Sequence, residues 1–259
     1  MQGPGLENVI MDKMLSVKNI TVLAGEGEKS KKIIENLSLE VAQGETVVIL
    51  GPNGAGKSTL GSALMGDPKL QITEGEISFF GKNITKLKVD ERGRLGMMMT
   101  MQNPVEIPGI STTNVIRAAL NARGEVLSLD KIRERISIVC KKLKTNIFFS
   151  EREINYQFSG GEKKKNEILQ ALVLKPKLLI LDEIDSGLDV DAANNISELL
   201  KELQDENKTA FLIITHNMRI LKNLKVDKVC ILKSCEIIKT GGIKLLNQVE
   251  EEGFGEIGR

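Results

Sequence analysis

The sequence has 259 residues, 41% of them hydrophobic and 27% charged, which suits one large globular domain and excludes a disordered chain. Its 36 basic and 35 acidic residues leave a net charge of +1, so the composition indicates no binding to nucleic acid or to anionic lipid. No apolar run approaches the roughly 20 residues that a membrane-spanning helix needs, which predicts a soluble chain without direct membrane insertion. Three cysteines favour free thiols in a reducing compartment over a disulfide framework.

Short β-rich segments separated by turns occupy the first part of the chain, at Leu15–Val22, Ile33–Val41 and Thr46–Leu50. The third segment is an apolar run after a glycine turn and predicts a buried strand. A helix from Thr59 to Met65 and a strand from Gly75 to Gly81 are expected to follow it.

The pattern changes to helical spacing between Asn103 and Gln157, with a clear amphipathic helix at Leu129–Leu143, and predicts an inserted helical subdomain. The remainder alternates helices with apolar strands, which predicts a parallel sheet flanked by helices. The predicted elements are a helix at Glu162–Leu174, a strand at Lys177–Leu181, a helix at Asp191–Gln204, a strand at Ala210–Ile214 and a helical tail from Leu245.

Residues 51–59 read GPNGAGKST and match the phosphate-binding loop G-x-x-x-x-G-K-[ST], with a predicted strand before it and a predicted helix after it. Glycines let the backbone amides face an anion, and the helix N-terminus adds positive potential. In this arrangement Lys57 reaches the β- and γ-phosphates and the Ser58 hydroxyl binds Mg²⁺. We therefore predict that ATP phosphates are bound by Gly51, Pro52, Asn53, Gly54, Ala55, Gly56, Lys57, Ser58 and Thr59.

Two adjacent carboxylates follow the apolar run at 178–181, where ligands of open α/β sheets gather. We predict that Asp182 is a metal ligand that holds Mg²⁺ through water. Glu183 points to the opposite side of the strand and is predicted to orient and deprotonate the water that attacks the γ-phosphate.

Two further polar residues are candidates for the same site. His216 is the only histidine and follows the predicted strand at 210–214, so we interpret it as a hydrogen-bond donor that positions water and phosphate. A lone histidine is more often structural, and only its place after a buried strand favours this function. Gln102 lies where the core meets the helical insert, and its amide can bind both metal and water.

The segment 158–163, FSGGEK, resembles the signature of the ABC ATPases, and it lies between a phosphate loop and an Asp-Glu strand as in that family. The resemblance implies an α/β fold with a RecA-like core, an antiparallel β subdomain and an inserted helical subdomain. The expected division is an N-terminal extension over 1–13, a core with the β subdomain over 14–104 and 166–259, and a helical subdomain with the signature over 105–165.

The resemblance also implies that two copies of the chain share each site in an ATP-dependent homodimer. The signature of one copy completes the phosphate loop of the other, through Ser159, Gly160 and Gly161. It further implies a switch histidine at His216, a glutamine loop at Gln102, and a D-loop over 186–189 that includes Asp189.

Three segments are similar to one branch of that family, SufC, the ATPase of the Suf system of iron–sulfur cluster assembly. They are 102–109, QNPVEIPG; 158–168, FSGGEKKKNEI; and 181–192, LDEIDSGLDVDA. The resemblance implies SufB-like and SufD-like scaffold partners, docked near residues 102–110 and rearranged by ATP-driven closure. The alternative is the nucleotide-binding subunit of a membrane ABC transporter, whose Asp-Glu pair is usually followed by Pro-Thr or Ala-Thr instead of Ile-Asp.

Four further expectations concern a lysine cluster, two cysteines, the adenine site and the cellular location. We interpret Lys163–Lys165 as a solvated helix face, and we expect Cys230 to be packed and Cys235 to be exposed at a hairpin tip. The strand around Ile20–Leu23 lacks an aromatic residue to stack on adenine, which predicts looser discrimination of ATP from other triphosphates. Residues 1–13 show no targeting pattern, and both the cytoplasm and a plastid-type stroma are compatible with the sequence.

Overall fold

A computed structural model of the protein describes residues 13–25, 27, 30–215 and 218–254. Within these ranges the strands are β1 Lys13–Ala24, β2 Lys31–Ala42, β3 Thr46–Leu50, β4 Leu70–Phe79, β5 Lys82–Asn83, β6 Met97–Met99, β7 Ile107–Ser111, β8 Glu153–Ile154, β9 Leu178–Asp182, β10 Ala210–Ile214, β11 Lys228–Lys233 and β12 Glu236–Gly241. The α-helices are α1 Lys57–Met65, α2 Val89–Leu95, α3 Thr112–Ala122, α4 Leu129–Lys142, α5 Phe148–Glu151, α6 Gly160–Leu174, α7 Val190–Asn207 and α8 Ile243–Glu252. None of the described helices is long and apolar enough to cross a membrane.

A six-stranded sheet forms the centre of the molecule, in the order β12-β11-β3-β10-β9-β6. All neighbouring strands in it are parallel except β11 and β12. Every residue of β3, β9 and β10 is buried, as expected for parallel strands covered on both faces. The predicted α/β class is confirmed, and the C-terminal ends of β3, β9 and β10 meet at one edge of the sheet.

Two hydrophobic cores lie on opposite faces of the central sheet. Alternate residues of β3 separate into them, with Val47 and Ile49 in one core and Val48 and Leu50 in the other. The first core is completed by an antiparallel sheet with the order β2-β1-β4-β5. The second contains residues of α3, α4, α6 and α7.

The strand predicted at Gly75–Gly81 begins five residues earlier, at the start of β4, and Gly75 lies inside it. This glycine has φ of +80°, and a Cβ atom there would be 2.3 Å from the carbonyl oxygen of Lys18. The pairing of β4 with β1 shifts its register at this point, so the glycine marks an irregularity inside one strand and not its beginning.

The region between residues 103 and 157 was predicted to be helical, and the structure adds a small sheet that the prediction missed. Strands β7 and β8 pair antiparallel through Ile107 and Ile154. Sequence periodicity could not reveal them, because β8 has two residues and β7 contains Pro108 and Gly109.

A buried arginine supports the C-terminal end of α1. The Arg92 guanidinium donates to the carbonyl oxygens of Ala63 and Leu64 over 2.9 and 2.7 Å, and to those of Thr85 and Leu87. The last carbonyls of a helix lack amide donors from the next turn and carry negative potential, so a guanidinium that donates to them stabilises the helix end. Burial lowers the pKa of Arg92 to about 10, so the side chain stays charged at neutral pH.

Candidate nucleotide-binding site

The phosphate loop joins β3 to α1 and depends on two of its glycines. A Cβ atom at Gly51 would lie 2.1 Å from the carbonyl oxygen of Leu232, and one at Gly56 would lie 2.9 Å from that of Ile33. Gly56 also has φ of +98° and precedes the first residue of α1. The helix therefore begins at Lys57, two residues before the predicted start, and its free amides face the loop.

Lys57 is buried against its own loop. Its Nζ atom donates to the carbonyl oxygens of Gly51 and Pro52, over 2.8 and 3.0 Å. Burial lowers the pKa of Lys57, and the nearby carboxylates of Glu183 and Asp182 oppose that shift. The ammonium group is thus held within the loop by two neutral acceptors, which a phosphate oxygen can replace.

Two of the three predicted metal ligands, Ser58 and Asp182, are in direct contact; Gln102 is the third. The Ser58 hydroxyl donates to Oδ1 of Asp182 over 3.1 Å, and the amide of Asp182 donates to the Thr100 hydroxyl over 3.1 Å. Burial raises the pKa of Asp182, and the hydrogen bond from Ser58 opposes this shift. A buried carboxylate beside a hydroxyl is an oxygen donor set that suits a hard cation such as Mg²⁺.

Glu183 and Gln102 also meet at the edge of the sheet. Nε2 of Gln102 donates to Oε2 of Glu183 over 2.7 Å. Glu183 has φ of +46°, in the left-handed region, and its amide donates to the carbonyl oxygen of Ile214 over 2.9 Å. This conformation is uncommon for a residue other than glycine, although ten other non-glycine residues among those described also have positive φ.

His216 lies outside the described residues, so its place relative to Glu183 stays a prediction. The preceding residue, Thr215, is buried and donates from its hydroxyl to Asp185 over 3.2 Å. Asp185 belongs to the segment 181–192, which was predicted to resemble one branch of the ABC ATPases.

The predicted signature forms the N-terminus of α6. Ser159 caps the helix: its Oγ accepts from the amide of Glu162, and Oε2 of Glu162 accepts from the amide of Ser159 over 2.8 Å. The hydrogen bonds from Ser159 lower the pKa of Glu162, and Arg152 contributes through an ion pair at 3.1 Å. Because of this cap, the helix begins at Gly160, two residues earlier than predicted.

The signature and the D-loop remain accessible from solvent. Ser159 and Gly160 are exposed and Gly161 is half-buried. Asp189 is exposed too, and its Oδ1 accepts from the amide of Ala192 over 2.7 Å, which caps α7. These residues can meet a second molecule without any change in the fold.

The interpretation of Lys163–Lys165 as a solvated face is wrong for its central residue. Lys164 is 4% exposed, and its Nζ donates to the carbonyl oxygens of Met101 and Gln102 over 2.7 and 2.9 Å. Three residues further along α6, Glu167 is 7% exposed and accepts from the amide of Met101 over 2.7 Å. Glu167 and Thr100 were not predicted as residues of the site. The available signal for Glu167 was its spacing, three residues after a lysine on the helix that follows the signature.

The cysteines are not arranged as a ligand set. Cys230 is buried as expected, whereas Cys235 is half-buried instead of exposed, because its backbone carbonyl accepts from the amide of Glu35 over 2.9 Å. Among the described residues no group of three or more His, Cys, Asp or Glu side chains could hold a metal ion.

Comparison with known proteins identifies the family. The sequence profile of the ABC transporter family matches residues 34–186. The chain belongs to the ABC family of ATPases. SufC of Escherichia coli strain K12, described as a probable ATP-dependent transporter, is 41% identical over 252 residues, which cover 93% of this chain and 98% of SufC.

Two further comparisons agree with this assignment. Vegetative protein 296 of Bacillus subtilis strain 168 is 40% identical over 229 residues, 87% of each chain. The dimeric structure of a bacterial ABC transporter cassette is similar with a TM-score of 0.76 at 25% identity, over 89% of this chain and 99% of that chain.

As an ABC ATPase the protein binds and hydrolyses ATP, and the predicted family and fold are confirmed. The predicted similarity to SufC is confirmed as well, because it extends over almost the full length of both chains. The roles of individual residues and the domain boundaries stay predictions for this ABC ATPase.

Proposed function

We propose that this ATPase drives conformational change in a SufB-like and SufD-like scaffold during iron–sulfur cluster assembly. The similarity to SufC over 93% of the chain is the observation that carries the proposal. The segment Ile184-Asp185 after the predicted base supports it, since most transporters have Pro-Thr or Ala-Thr there.

In the proposed mechanism the loop at 51–59 binds the phosphates of ATP. Lys57 leaves the carbonyl oxygens of Gly51 and Pro52 and pairs with the β- and γ-phosphates. Ser58 and Asp182, already in contact, would hold Mg²⁺. When bound, the metal neutralises charge that develops on the transferring phosphoryl group.

Glu183 is the proposed general base. It accepts a proton from the attacking water, while the amide of Gln102, now hydrogen-bonded to its carboxylate, orients that water and can reach the metal. His216 donates a hydrogen bond to the γ-phosphate in this proposal. Because each chain has one copy of every motif, Ser159–Gly161 and Asp189 complete the site of a second copy, as exposed residues can.

An exposed apolar patch beside the site is the proposed surface for the scaffold. It consists of the side chains around β7 and the end of β8, each at least 42% exposed: Met101, Val105, Ile107, Ile110 and Tyr156. Monomeric proteins rarely expose grouped apolar side chains without a binding partner. The patch overlaps the docking segment at 102–110 predicted from the sequence.

Two contacts connect this patch to the signature helix α6. Nζ of Lys163 pairs with Oε1 of Glu106 over 2.7 Å. Nδ2 of Asn155 donates to the carbonyl oxygen of Val105, and the Asn155 side chain accepts from Asn166 in α6. Movement of the signature towards a second copy is therefore transmitted to whatever is bound at the patch.

The experiment is coexpression of this chain with SufB-like and SufD-like proteins from the same source, followed by copurification without detergent and measurement of ATPase activity. We expect a stable complex and a higher kcat than for the chain alone. The double substitution Val105→Glu with Ile110→Glu should abolish copurification. The matched control is Val126→Glu, at a residue that is 81% exposed and outside the patch, and it should leave binding unchanged.

Two results would contradict the proposal. One is the absence of any complex with the scaffold proteins under conditions where the chain hydrolyses ATP. The other is association that requires detergent and a membrane subunit, which would favour the alternative, the nucleotide-binding subunit of a membrane transporter.

A further inference from the structure

Two buried charged side chains of α6 contact one short backbone segment of the core. Glu167 accepts from the amide of Met101, and Lys164 donates to the carbonyl oxygens of Met101 and Gln102, all within 2.9 Å. The backbone of Met101 is therefore held at both its amide and its carbonyl by the same helix. The three contacts come from residues one helical turn apart, so they fix this segment against one face of α6.

Burial of these two side chains destabilises the folded state. Lys164 and Glu167 are at most 7% exposed, and Oε2 of Glu167 has no hydrogen-bond partner among the described residues. A buried carboxylate oxygen without a partner destabilises a protein, and an apolar side chain of similar size at this position would avoid the cost. Unlike an apolar side chain, the carboxylate accepts a hydrogen bond from the amide of Met101.

The segment that Lys164 and Glu167 contact includes Gln102, the residue beside the proposed base. Gln102 follows Met101, and its side chain reaches Glu183 over 2.7 Å. At its other end α6 begins at Gly160, within the signature that a second copy would contact. The signature, the two buried charges, Gln102 and Glu183 thus form one continuous path of backbone and hydrogen bonds.

We propose that Glu167, together with Lys164, is a positioning residue that holds the backbone of Met101 and so fixes Gln102 beside Glu183. Loss of the contact between Glu167 and Met101 releases Gln102 from this place and lowers the rate of hydrolysis. The inference rests on the proposed roles of Gln102 and Glu183, and it holds whichever partner binds the exposed patch.

The test compares Glu167→Gln with Glu167→Leu in the full chain. Glutamine keeps an oxygen that accepts from Met101, whereas leucine of similar size has none. We expect kcat for ATP to stay within about twofold for Glu167→Gln and to fall at least tenfold for Glu167→Leu, from the loss of oriented general-base catalysis. KM for ATP should change less than about twofold in both, because the phosphate loop is untouched.

Hydrogen exchange of the peptide that contains Met101 separates positioning from general damage. In Glu167→Leu the amide of Met101 should exchange faster, while the peptides of β3 and α1 keep wild-type protection. The matched control is Glu198→Leu, at an exposed residue of α7, which should change neither kcat nor exchange.

Three results would overturn the inference: full kcat in Glu167→Leu, an equal loss in Glu167→Gln, or unchanged exchange at Met101. Gln102→Ala is measured in parallel to test the assumption beneath it. If Gln102→Ala hydrolyses ATP normally, the role proposed for Gln102 fails. The exchange of Met101 still reports whether Glu167 holds the segment.

Discussion

Gln102 donates a hydrogen bond to Glu183 over 2.7 Å, although the two residues are 81 positions apart in the sequence. This contact joins the start of the helical insert to the C-terminal end of β9, a strand of the six-stranded sheet. It occupies one oxygen of the carboxylate that we propose as general base. Substitutions at other residues of the site can therefore be interpreted with the hydrogen-bond partner of the proposed base, Gln102, already known.

Substitution of Glu183 by glutamine should separate ATP binding from hydrolysis. Glutamine keeps the size of the side chain but cannot accept the proton, so kcat should fall by about 10² to 10³ while ATP affinity is retained. Trapped ATP should also increase the fraction of homodimer. Single-turnover kinetics and light scattering with ATP measure the two effects.

The contrasting variant is Lys57→Ala, which removes the cation of the phosphate loop and should weaken ATP binding itself. Dimers should not accumulate in that variant. Wild-type turnover in Glu183→Gln, or equal loss of affinity in both variants, would show that the proton acceptor is another group.

Substitution of Asp182 by asparagine should change the metal requirement. The Ser58 hydroxyl can still donate to the new side chain, but the negative charge that attracts Mg²⁺ is lost. The Mg²⁺ concentration for half-maximal ATPase activity should rise at least tenfold. Asp130→Asn, at an exposed residue of α4, is the control and should keep the wild-type requirement. An unchanged Mg²⁺ dependence in Asp182→Asn would exclude Asp182 as a ligand.

Features that depend on local sequence could be predicted well. The apolar run at Thr46–Leu50 was predicted as a buried strand from its short length and the glycine turn before it, and the structure confirms this. The glycines of residues 51–56 follow from the geometry of anion binding. Asp182 and Glu183 were placed at the edge of the sheet by the same reasoning. Each of these predictions requires only the neighbours of a residue in the sequence.

The buried charges of α6 could not be predicted in this way. Lysine and glutamate are rarely buried, so Lys164 and Glu167 were interpreted as exposed or left unassigned. Their burial results from the packing of the segment at Met101 against α6, more than 60 residues away in the chain. The strand β8 was missed for a related reason, since its pairing with β7 spans the whole helical insert.

Loose purine selectivity is expected from the surface beside the phosphate loop. A groove of about 820 Å³ there is lined by Ala24 and Gly25 at the end of β1, by Ser58 and by Pro68, and it has no aromatic side chain among the described residues. Base stacking on an aromatic ring contributes about 1–3 kcal/mol, and none is available to favour adenine here. We expect kcat/KM for GTP within about tenfold of that for ATP. A preference for ATP of a hundredfold or more would contradict this.

Glu167→Gln should stabilise the protein in a pH-dependent manner. Burial raises the pKa of Glu167 from 4.5 to about 7, so between these values the folded state binds the proton more tightly than the unfolded state. The contribution to stability is therefore fully present below pH 4.5 and is lost as pH rises through 7. Glutamine does not titrate, so its free energy of unfolding should exceed that of the wild type by about 3 kcal/mol more at pH 8 than at pH 4.5. Urea unfolding at both pH values measures the difference, in which the other titrating groups cancel. A pH-independent difference would show that folding does not shift the pKa of Glu167.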